Sequence, residues 1–255
     1  MSKLPKEYQF IDLSDYGRPF AKLIANSLKN TTITPIHVTI GFVISGLLAI
    51  LCILYNYYWA AAFFLVLKSI LDAADGELAR IKNQPSYTGR YLDSISDIVL
   101  NLLIMVAIWY VTEGSIWYTI LAFMGLQLQG TLYNYYYVIL RNKHNGDTTS
   151  RIFEHNPPIA MNGEKQQTVN FLFKLYSIFY GLFDRIIYGL DRNAVDSNKL
   201  PNWLMTAVST FGLGFQLLII GIMFMCQLDQ YIIPFFISYS LFIFLFIGIR
   251  RLINR

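Results

Sequence analysis

Residues 71–97 read LDAADGELARIKNQPSYTGRYLDSISD and decide the fold, because they place acidic side chains between two apolar stretches. The flanking stretches, YYWAAAFFLVLKSI before and IVLNLLIMVAIWYV after, are typical of membrane-spanning helix. An aspartate at mid-membrane costs about 2.5–3.5 kcal/mol, so four unpaired aspartates would cost on the order of 10 kcal/mol. The charges must therefore be neutralised, and the means of neutralisation bears on function. The four residues are Asp72, Asp75, Asp93 and Asp97.

The composition indicates a polytopic membrane protein. Of the 255 residues, 55% are hydrophobic and only 14% are charged, whereas soluble domains carry roughly 25% charged residues. A hydrocarbon core about 30 Å thick is crossed by about 20 apolar residues. Six stretches meet this requirement, which predicts an all-α integral membrane protein with six transmembrane helices. They are residues 35–55, 57–81, 87–112, 116–140, 203–226 and 230–249.

Lysine and arginine residues predict the orientation of these spans. Five precede residue 33, three lie at the second-to-third connection, eight lie in residues 141–202 and three are at the C-terminus. The connections on the opposite side, YNYY, VTEGS and CQLDQ, contain none. Because positively charged loops stay in the cytoplasm, both termini and the loops of the first side are predicted to be cytoplasmic.

Residues 170–190 are apolar enough to be a seventh span, but they carry one polar stripe. The stripe consists of Asn170, Lys174, Ser177, Gly181 and Asp184, at intervals of three and four. A seventh span would also place Arg192 and Lys199 outside, against the charge rule. We therefore predict a cytoplasmic interfacial helix between the fourth and fifth spans, lying on the membrane or covering the core, with a plain structural span as the alternative.

Two further segments are predicted to lie at the cytoplasmic interface. Residues 16–30, YGRPFAKLIANSLKN, form an amphipathic juxtamembrane helix before the first span. Its apolar face is made by Phe20, Leu23, Ile24 and Leu28. The aromatic run at residues 133–137 comes at the cytoplasmic end of the fourth span and is expected to belong mostly to an interfacial aromatic belt.

Helical spacing brings the acidic residues of the second and third spans together. With 100° between successive residues, one helix face carries Asp72, Asp75, Gly76, Ala79 and Arg80. On the next helix, Gly89, Asp93 and Asp97 follow at intervals of four. The connection IKNQPSYT is short, so the two helices are antiparallel neighbours. Four carboxylates can therefore converge near the cytoplasmic boundary.

A divalent cation is the simplest means of neutralising such a cluster. Carboxylate oxygens suit Mg²⁺, Mn²⁺ or Ca²⁺, and the absence of a nearby cysteine or histidine argues against Zn²⁺. Mg²⁺ held by carboxylates usually completes its shell with phosphate oxygens of a substrate, which indicates phosphate chemistry at a membrane surface. The small residues Gly76 and Ala79 leave room for a ligand, although either alone would favour close helix packing.

The complete pattern is D-x-x-D-G-x-x-A-R-x₈-G-x-x-x-D-x-x-x-D, and it resembles the signature of the CDP-alcohol phosphotransferase (CDP-alcohol phosphatidyltransferase) family. The detailed match covers residues 72–97, and the six-span layout extends it to most of the chain. The resemblance implies one membrane domain over residues 1–255. Within it, residues 1–33 form the cytoplasmic juxtamembrane part and residues 142–202 a cytoplasmic loop with the interfacial helix.

The resemblance also implies the chemistry. Such enzymes attack the phosphoanhydride of a CDP-linked donor with the hydroxyl of an alcohol acceptor and release CMP. One or two Mg²⁺ or Mn²⁺ ions, more often two, would be held by Asp72, Asp75 and Asp93, while Asp97 would be the general base and a further metal ligand. Gly76, Ala79, Arg80 and Gly89 would shape the CDP site, with Arg80 near phosphate. The partners are then the two substrates and the bilayer, with no nucleic acid. A homodimer is common in such enzymes and would use the third and fourth helices.

One departure concerns the first span, which many relatives begin with P-N-x-x-T. Here residues 35–39 read PIHVT, so the asparagine is absent. His37 could substitute for it, but a histidine satisfied by backbone or water is the favoured interpretation.

The sequence does not decide the identity of the donor or of the acceptor. One branch transfers a phosphatidyl group from CDP-diacylglycerol to a small alcohol, and another transfers a phospho-alcohol from CDP-ethanolamine, CDP-choline or a CDP-polyol. We favour the lipid donor by analogy. A phosphorylated acceptor would find an anion pocket in Arg141, Lys143, Arg151, Arg185 and Arg192, although contact with anionic lipid headgroups explains them equally well. A cation transporter is disfavoured, because the later spans carry no matching charges.

Overall fold

The computed structural model describes residues 4–144, 154, 156–197 and 199–254, and within these residues the chain is helical, with no strand. The α-helices of the described part are α1 (Arg18–Leu28), α2 (Pro35–Leu54), α3 (Tyr58–Ile81), α4 (Tyr87–Thr112), α5 (Ile116–Lys143), α6 (Gln166–Leu190), α7 (Asn202–Val208), α8 (Leu213–Met225), α9 (Ile232–Tyr239) and α10 (Phe242–Ile253). The predicted all-α class is confirmed for this part of the chain.

Local sequence explains where the long helices begin and end. Pro35 opens α2, because its missing N–H is not needed in the first turn. The Ser86 hydroxyl caps α4 by accepting a hydrogen bond from the Gly89 N–H at 2.8 Å. A residue in the left-handed backbone conformation follows the end of each of α2, α4 and α8. These residues are Asn56, Glu113 and Gln227, with φ of 60°, 50° and 58°. These stops make tight connections between antiparallel helices.

Helix α3 is the centre of the bundle. It packs against α1, α2 and α8, while α2 also contacts α4. Helix α1 fits closely because Ala21 and Ala25 are fully buried against α2 and α3. Phe20 and Leu23 point outward, 59% and 66% exposed, as expected for a helix along a membrane surface, whereas Ile24 and Leu28 pack against the bundle.

Three helical segments of the described chain are long and apolar enough to cross a membrane. They are Pro35–Leu54, Tyr87–Thr112 and Asp229–Ile253, and the bent pair Asn202–Phe211 and Leu213–Met225 makes a fourth if it is one span. The stretches predicted as the second and fourth spans form the helices α3 and α5. Neither helix is among the segments that are apolar enough to cross a membrane. In α3 the reason is visible, because it carries the acidic residues and Lys68.

Helices α7 and α8 meet at a bend of 54°. The N-terminal segment of the chain packs against this bend. Leu13 donates its N–H to the Ser209 hydroxyl at 2.9 Å, and Gly214 donates its N–H to the Ser14 hydroxyl at 3.1 Å. A Cβ atom at Gly212 would lie 2.2 Å from the Ser14 hydroxyl oxygen. Gly212 is therefore required by the close approach of two distant segments.

Helix α6 has both ends at one end of the bundle, the end where α3 ends and α4 begins (hereafter the α3–α4 end). Glu164, two residues before α6, contacts the start of α4. Asp191, one residue after α6, contacts Tyr136 near the end of α5 and Arg250 near the end of α10. A helix of 25 residues is about 37 Å long, so α6 lies across the bundle more than along it.

Candidate active site

A cavity of about 1980 Å³ lies at the α3–α4 end of the bundle. Its walls come from the N-terminal segment, from the chain just before α6 and from α2, α3, α4, α5, α6 and α8. All the residues of the sequence signature line it, namely Asp72, Asp75, Gly76, Ala79, Arg80, Gly89, Asp93 and Asp97. Sites for one small ligand usually measure about 300–1,000 Å³, so this cavity has room for two substrates.

Three of the four aspartates form a compact group inside the cavity. One carboxylate oxygen from each of Asp72, Asp75 and Asp93 lies within 4.8 Å of the other two. Thr39 orients the group, because its hydroxyl donates to Asp75 Oδ2 at 2.7 Å. The buried Asp93 Oδ1 has no hydrogen-bond partner among the described residues. Three converging carboxylates with an orphaned oxygen match the ligand set of a hard divalent cation.

The fourth aspartate, Asp97, stands apart from this group. The fully buried ammonium of Lys68 binds Asp97 Oδ1 at 2.5 Å. The same ammonium lies 4.9 Å from the centre of the Phe42 ring. The structure thus separates the predicted four-carboxylate cluster into a group of three and an aspartate paired with lysine.

The two glycines of the signature, Gly76 and Gly89, have different surroundings. A Cβ atom at Gly76 would meet only the Arg80 guanidinium, at 3.6 Å or more. Arg80 is itself held by Glu77 at 3.1 Å, and its Nε has no partner in the described part of the chain. At Gly89 a Cβ atom would come within 3.3 Å of the Ser86 hydroxyl oxygen. Gly76 keeps the cavity wall open, whereas Gly89 protects the cap of α4.

Two glutamates contact the first turns of α4, and one of them, Glu164, lines the cavity. Glu164 accepts hydrogen bonds from the Thr88 N–H and the Ser86 hydroxyl, each at 2.7 Å. Burial works against ionisation, but these hydrogen bonds prevail and lower the pKa of Glu164, as expected at a helix N-terminus. Glu154 pairs with the Arg90 guanidinium and accepts from the Tyr91 hydroxyl at 2.6 Å. The chain before α6 is thereby attached to α4.

One face of α6, which packs against α4, contributes Tyr176, Tyr180 and Asp184 to the cavity wall. The two tyrosine rings stack with centres 5.0 Å apart. The Tyr180 hydroxyl donates to the Ser94 carbonyl at 2.8 Å, next to Asp93 on α4. Burial, together with the nearby Glu154 charge, raises the pKa of Asp184 to about 7. A cation in the cavity would favour its ionised form.

The structure corrects two predictions. The aromatic run at residues 133–137 is not mainly a belt, because Tyr135 and Tyr136 are buried and hydrogen-bonded to Asp191. Tyr133, Asn134 and Tyr137 line the cavity, which the sequence did not indicate. The polar stripe of α6 is also divided, since Lys174 is exposed while Asp184 faces the cavity. A helical pattern identifies a face but not the element that covers it.

The remaining predicted residues have simpler positions. His37 Nδ1 accepts the Thr34 N–H at 2.9 Å and lies outside the cavity, which confirms the backbone-satisfied interpretation. Of the predicted anion pocket, only Arg141 lines the cavity among the described members, which are Arg141, Lys143, Arg185 and Arg192. The Lys143 ammonium binds the Ser197 carbonyl. Arg151 lies outside the described residues.

Two comparisons with known proteins bear on the family of this chain. The profile of the family described as CDP-alcohol phosphatidyltransferase matches residues 32–235. A stretch of 65 residues is 45% identical to a CDP-diacylglycerol–serine O-phosphatidyltransferase of Bacillus subtilis. That alignment covers 26% of this chain and 37% of the relative. The family profile spans most of the chain and includes both helices that carry the carboxylates. The chain belongs to the CDP-alcohol phosphatidyltransferase family.

Proposed function

We propose that this protein is a membrane enzyme of phospholipid synthesis that transfers a phosphatidyl group from CDP-diacylglycerol to a small alcohol and releases CMP. The observation that carries the proposal is the arrangement in the cavity, where three converging carboxylates lie beside a fourth that is held by a buried lysine. The family and the serine phosphatidyltransferase of Bacillus subtilis support the same reaction class. By analogy with that relative, serine is the first acceptor to test.

The group of three would hold the metal. Asp72, Asp75 and Asp93 offer only oxygen ligands, which favours Mg²⁺ or Mn²⁺, and the size of the cavity permits two ions. When bound, a divalent ion neutralises charge on the donor's phosphate oxygens. Thr39 keeps the Asp75 carboxylate in place for this task. Gly76, Ala79, Arg80 and Gly89 form the wall against which the CDP part would bind, with Arg80 contributing positive charge.

Asp97 is the proposed general base. Lys68 occupies its Oδ1, which fixes the carboxylate and leaves Oδ2 to accept the proton of the acceptor hydroxyl. The acceptor oxygen then bonds to the phosphatidyl phosphorus, and the bond from that phosphorus to the bridging oxygen breaks. CMP leaves with the bridging oxygen. Because Lys68 is already bound to Asp97, we assign Asp97 to proton transfer in preference to metal binding.

The membrane placement follows from the charges and from α6. We propose six spans, namely α2, α3, α4, α5, the α7–α8 pair and the α9–α10 pair, within one domain over residues 1–255. Both termini and the cavity would face the cytoplasm, because the α3–α4 end carries the basic loops. The two ends of α6 lie at that same end, which supports an interfacial position for α6. We do not extend the proposal to a homodimer, because lipid equally accounts for the exposed apolar residues of α4 and α5.

The second candidate is transfer of a phospho-alcohol from a soluble CDP-alcohol to a lipid hydroxyl. The carboxylates and the CDP wall serve both reactions, so the geometry favours neither donor. Purified protein in detergent should therefore be given radiolabelled CDP-diacylglycerol or CDP-ethanolamine with Mg²⁺. The acceptors are serine, glycerol 3-phosphate, an inositol phosphate and diacylglycerol, and the readouts are CMP and the lipid product.

We expect metal-dependent release of CMP from CDP-diacylglycerol, lost in Asp97→Asn and retained in Asp229→Asn. Asp229 serves as the matched control, because it lies at the opposite end of the bundle. CMP from CDP-ethanolamine alone would select the second candidate. No CMP from any pairing would reject both, and cation transport would then have to be tested.

A further inference from the structure

The cavity wall formed by α6 has a chemistry that the metal site does not use. Tyr176, Tyr180 and Asp184 recur at intervals of four, so they share one helix face, and all three line the cavity. Hereafter this face is called the α6 face. The stacked rings present aromatic surface, and the aspartate presents a carboxylate.

Asp184 has no protein cation to neutralise it in the part of the chain that the structure describes. Neither an ion pair nor a hydrogen bond involves its carboxylate among those residues. The neighbouring Arg90, which lies 5.9 Å from the Tyr176 ring, is paired with Glu154. Asp184 is therefore an un-neutralised carboxyl group in the wall, and a cation bound beside it would favour its charged form.

The α6 face is attached to the helix that carries the chemistry. The Tyr180 hydroxyl binds the Ser94 carbonyl, between Asp93 and Asp97 in sequence. Glu164 and Glu154 fix the chain before α6 to the start of α4. A ligand on the α6 face would thus lie in the same cavity as the proposed metal site and base.

A carboxylate beside aromatic rings recognises an alkylammonium group, through charge-assisted hydrogen bonds and cation–π attraction. The same face repels a phosphorylated alcohol, whose charge has the same sign as that of Asp184. We propose that the α6 face binds the ammonium of a small amino alcohol, with Asp184 as a residue that determines substrate specificity. This inference rests on the proposed function, because it takes the amino alcohol to be a substrate in that cavity.

The test compares two acceptors that differ only in the ammonium group. L-Serine and 3-hydroxypropionate are each given with CDP-diacylglycerol and Mg²⁺ to the wild type, to Asp184→Asn and to Asp196→Asn. Asp196 is the matched control, because it is exposed and lies outside the cavity. We expect Asp184→Asn to raise the KM for serine about 10- to 100-fold, the usual worth of a charge-assisted hydrogen bond, and to leave the KM for 3-hydroxypropionate within about twofold. Tyr176→Leu should raise the KM for serine by a smaller factor.

A binding measurement keeps the test independent of folding and turnover. Titration of CDP in the presence of Mg²⁺ should give the same affinity for the wild type and for Asp184→Asn. Titration of serine into the CDP-bound protein should show a lower affinity for serine in Asp184→Asn than in the wild type. A parallel arm with CDP-ethanolamine and diacylglycerol shows whether the ammonium belongs to the acceptor or to the donor.

Equal losses for serine and 3-hydroxypropionate, or no change with either, would overturn the inference. A wild type that prefers glycerol 3-phosphate over serine would also overturn it while leaving the phosphotransferase function intact. No CMP from any pairing would instead reject the proposed function, and this inference with it.

Discussion

Two acidic sites within the described residues differ in how their charge is neutralised. Asp191, fully buried after α6, is bound by Arg250 at 2.5 Å and by the Tyr136 hydroxyl at 2.6 Å. The group of Asp72, Asp75 and Asp93 has the Thr39 hydroxyl as a side-chain donor, and Asp93 Oδ1 has none among the described residues. The protein supplies all the partners of the first site, which is therefore structural. We propose that a ligand completes the second site.

The largest expected effect is that of Asp93→Asn. Removing one carboxylate from the group of three should lower CMP release at least about 1,000-fold, because metal stabilisation of charge is worth several kcal/mol. The melting temperature without metal should stay the same or rise, since repulsion among the three carboxylates is relieved. Thermal unfolding with and without Mg²⁺ checks this, and Mg²⁺ should stabilise the wild type far more than the variant. If Asp93→Asn melted at a lower temperature than the wild type without metal, the two sites would not differ as described.

Asp191→Asn should show the opposite behaviour. It leaves Arg250 buried without its carboxylate, so we expect a loss of about 3–5 kcal/mol in the free energy of unfolding. Activity per folded molecule should be unchanged, because Asp191 does not line the cavity. Unfolding in detergent and activity at low temperature measure the two quantities. Loss of activity at unchanged stability would make Asp191 part of the active site.

Lys68→Met tests the ion pair inside the cavity, because it removes the partner of Asp97. We expect kcat to fall about 10- to 100-fold, as for other residues that orient a catalytic group, with the KM for the donor nearly unchanged. Lys68→Arg keeps the charge and should recover part of the rate. A Lys68→Met enzyme with wild-type kcat would show that Asp97 needs no partner.

The smallest expected effect is that of Glu164→Gln. This change weakens the cap of α4 without touching the carboxylates, so we expect a loss of about 1 kcal/mol in stability and only a few-fold loss in activity. Glu113→Gln, at the other end of α4, is the matched control. An effect on activity as large as that of Asp93→Asn would mean that Glu164 belongs to the site itself.

Much of this architecture could be predicted from the sequence, because its signals are local. Apolar length placed α2, α3, α4 and α5 within a few residues, and the spacing of the signature placed all its residues in one cavity. Apolar length did not indicate the breaks that divide each of the last two predicted spans into two helices. The contacts between distant segments could not be predicted. Nothing in the pattern near Ser14 indicates that it fills the bend at Gly212, and nothing near Glu164 indicates a cap for α4.

The separation of Asp97 from the other aspartates was also beyond the pattern. Lys68 was visible one helical turn before Asp72, but its pairing with Asp97 depends on how α3 and α4 pack. The same limit applies to Asp184, which a helical wheel assigns to a polar stripe and the packed structure assigns to the cavity. Periodicity describes one helix at a time, whereas a site is made between helices.

We propose that the carboxylates of Asp72, Asp75 and Asp93 bind a metal that in turn binds the CDP part of the donor. Calorimetric titration of CDP into the purified protein tests it most directly, with Mg²⁺ or with EDTA, for the wild type, Asp93→Asn and Asp191→Asn. We predict binding with Mg²⁺ in the wild type and in folded Asp191→Asn, and none in EDTA or in Asp93→Asn. Equal CDP binding in EDTA, or in Asp93→Asn, would contradict the claim.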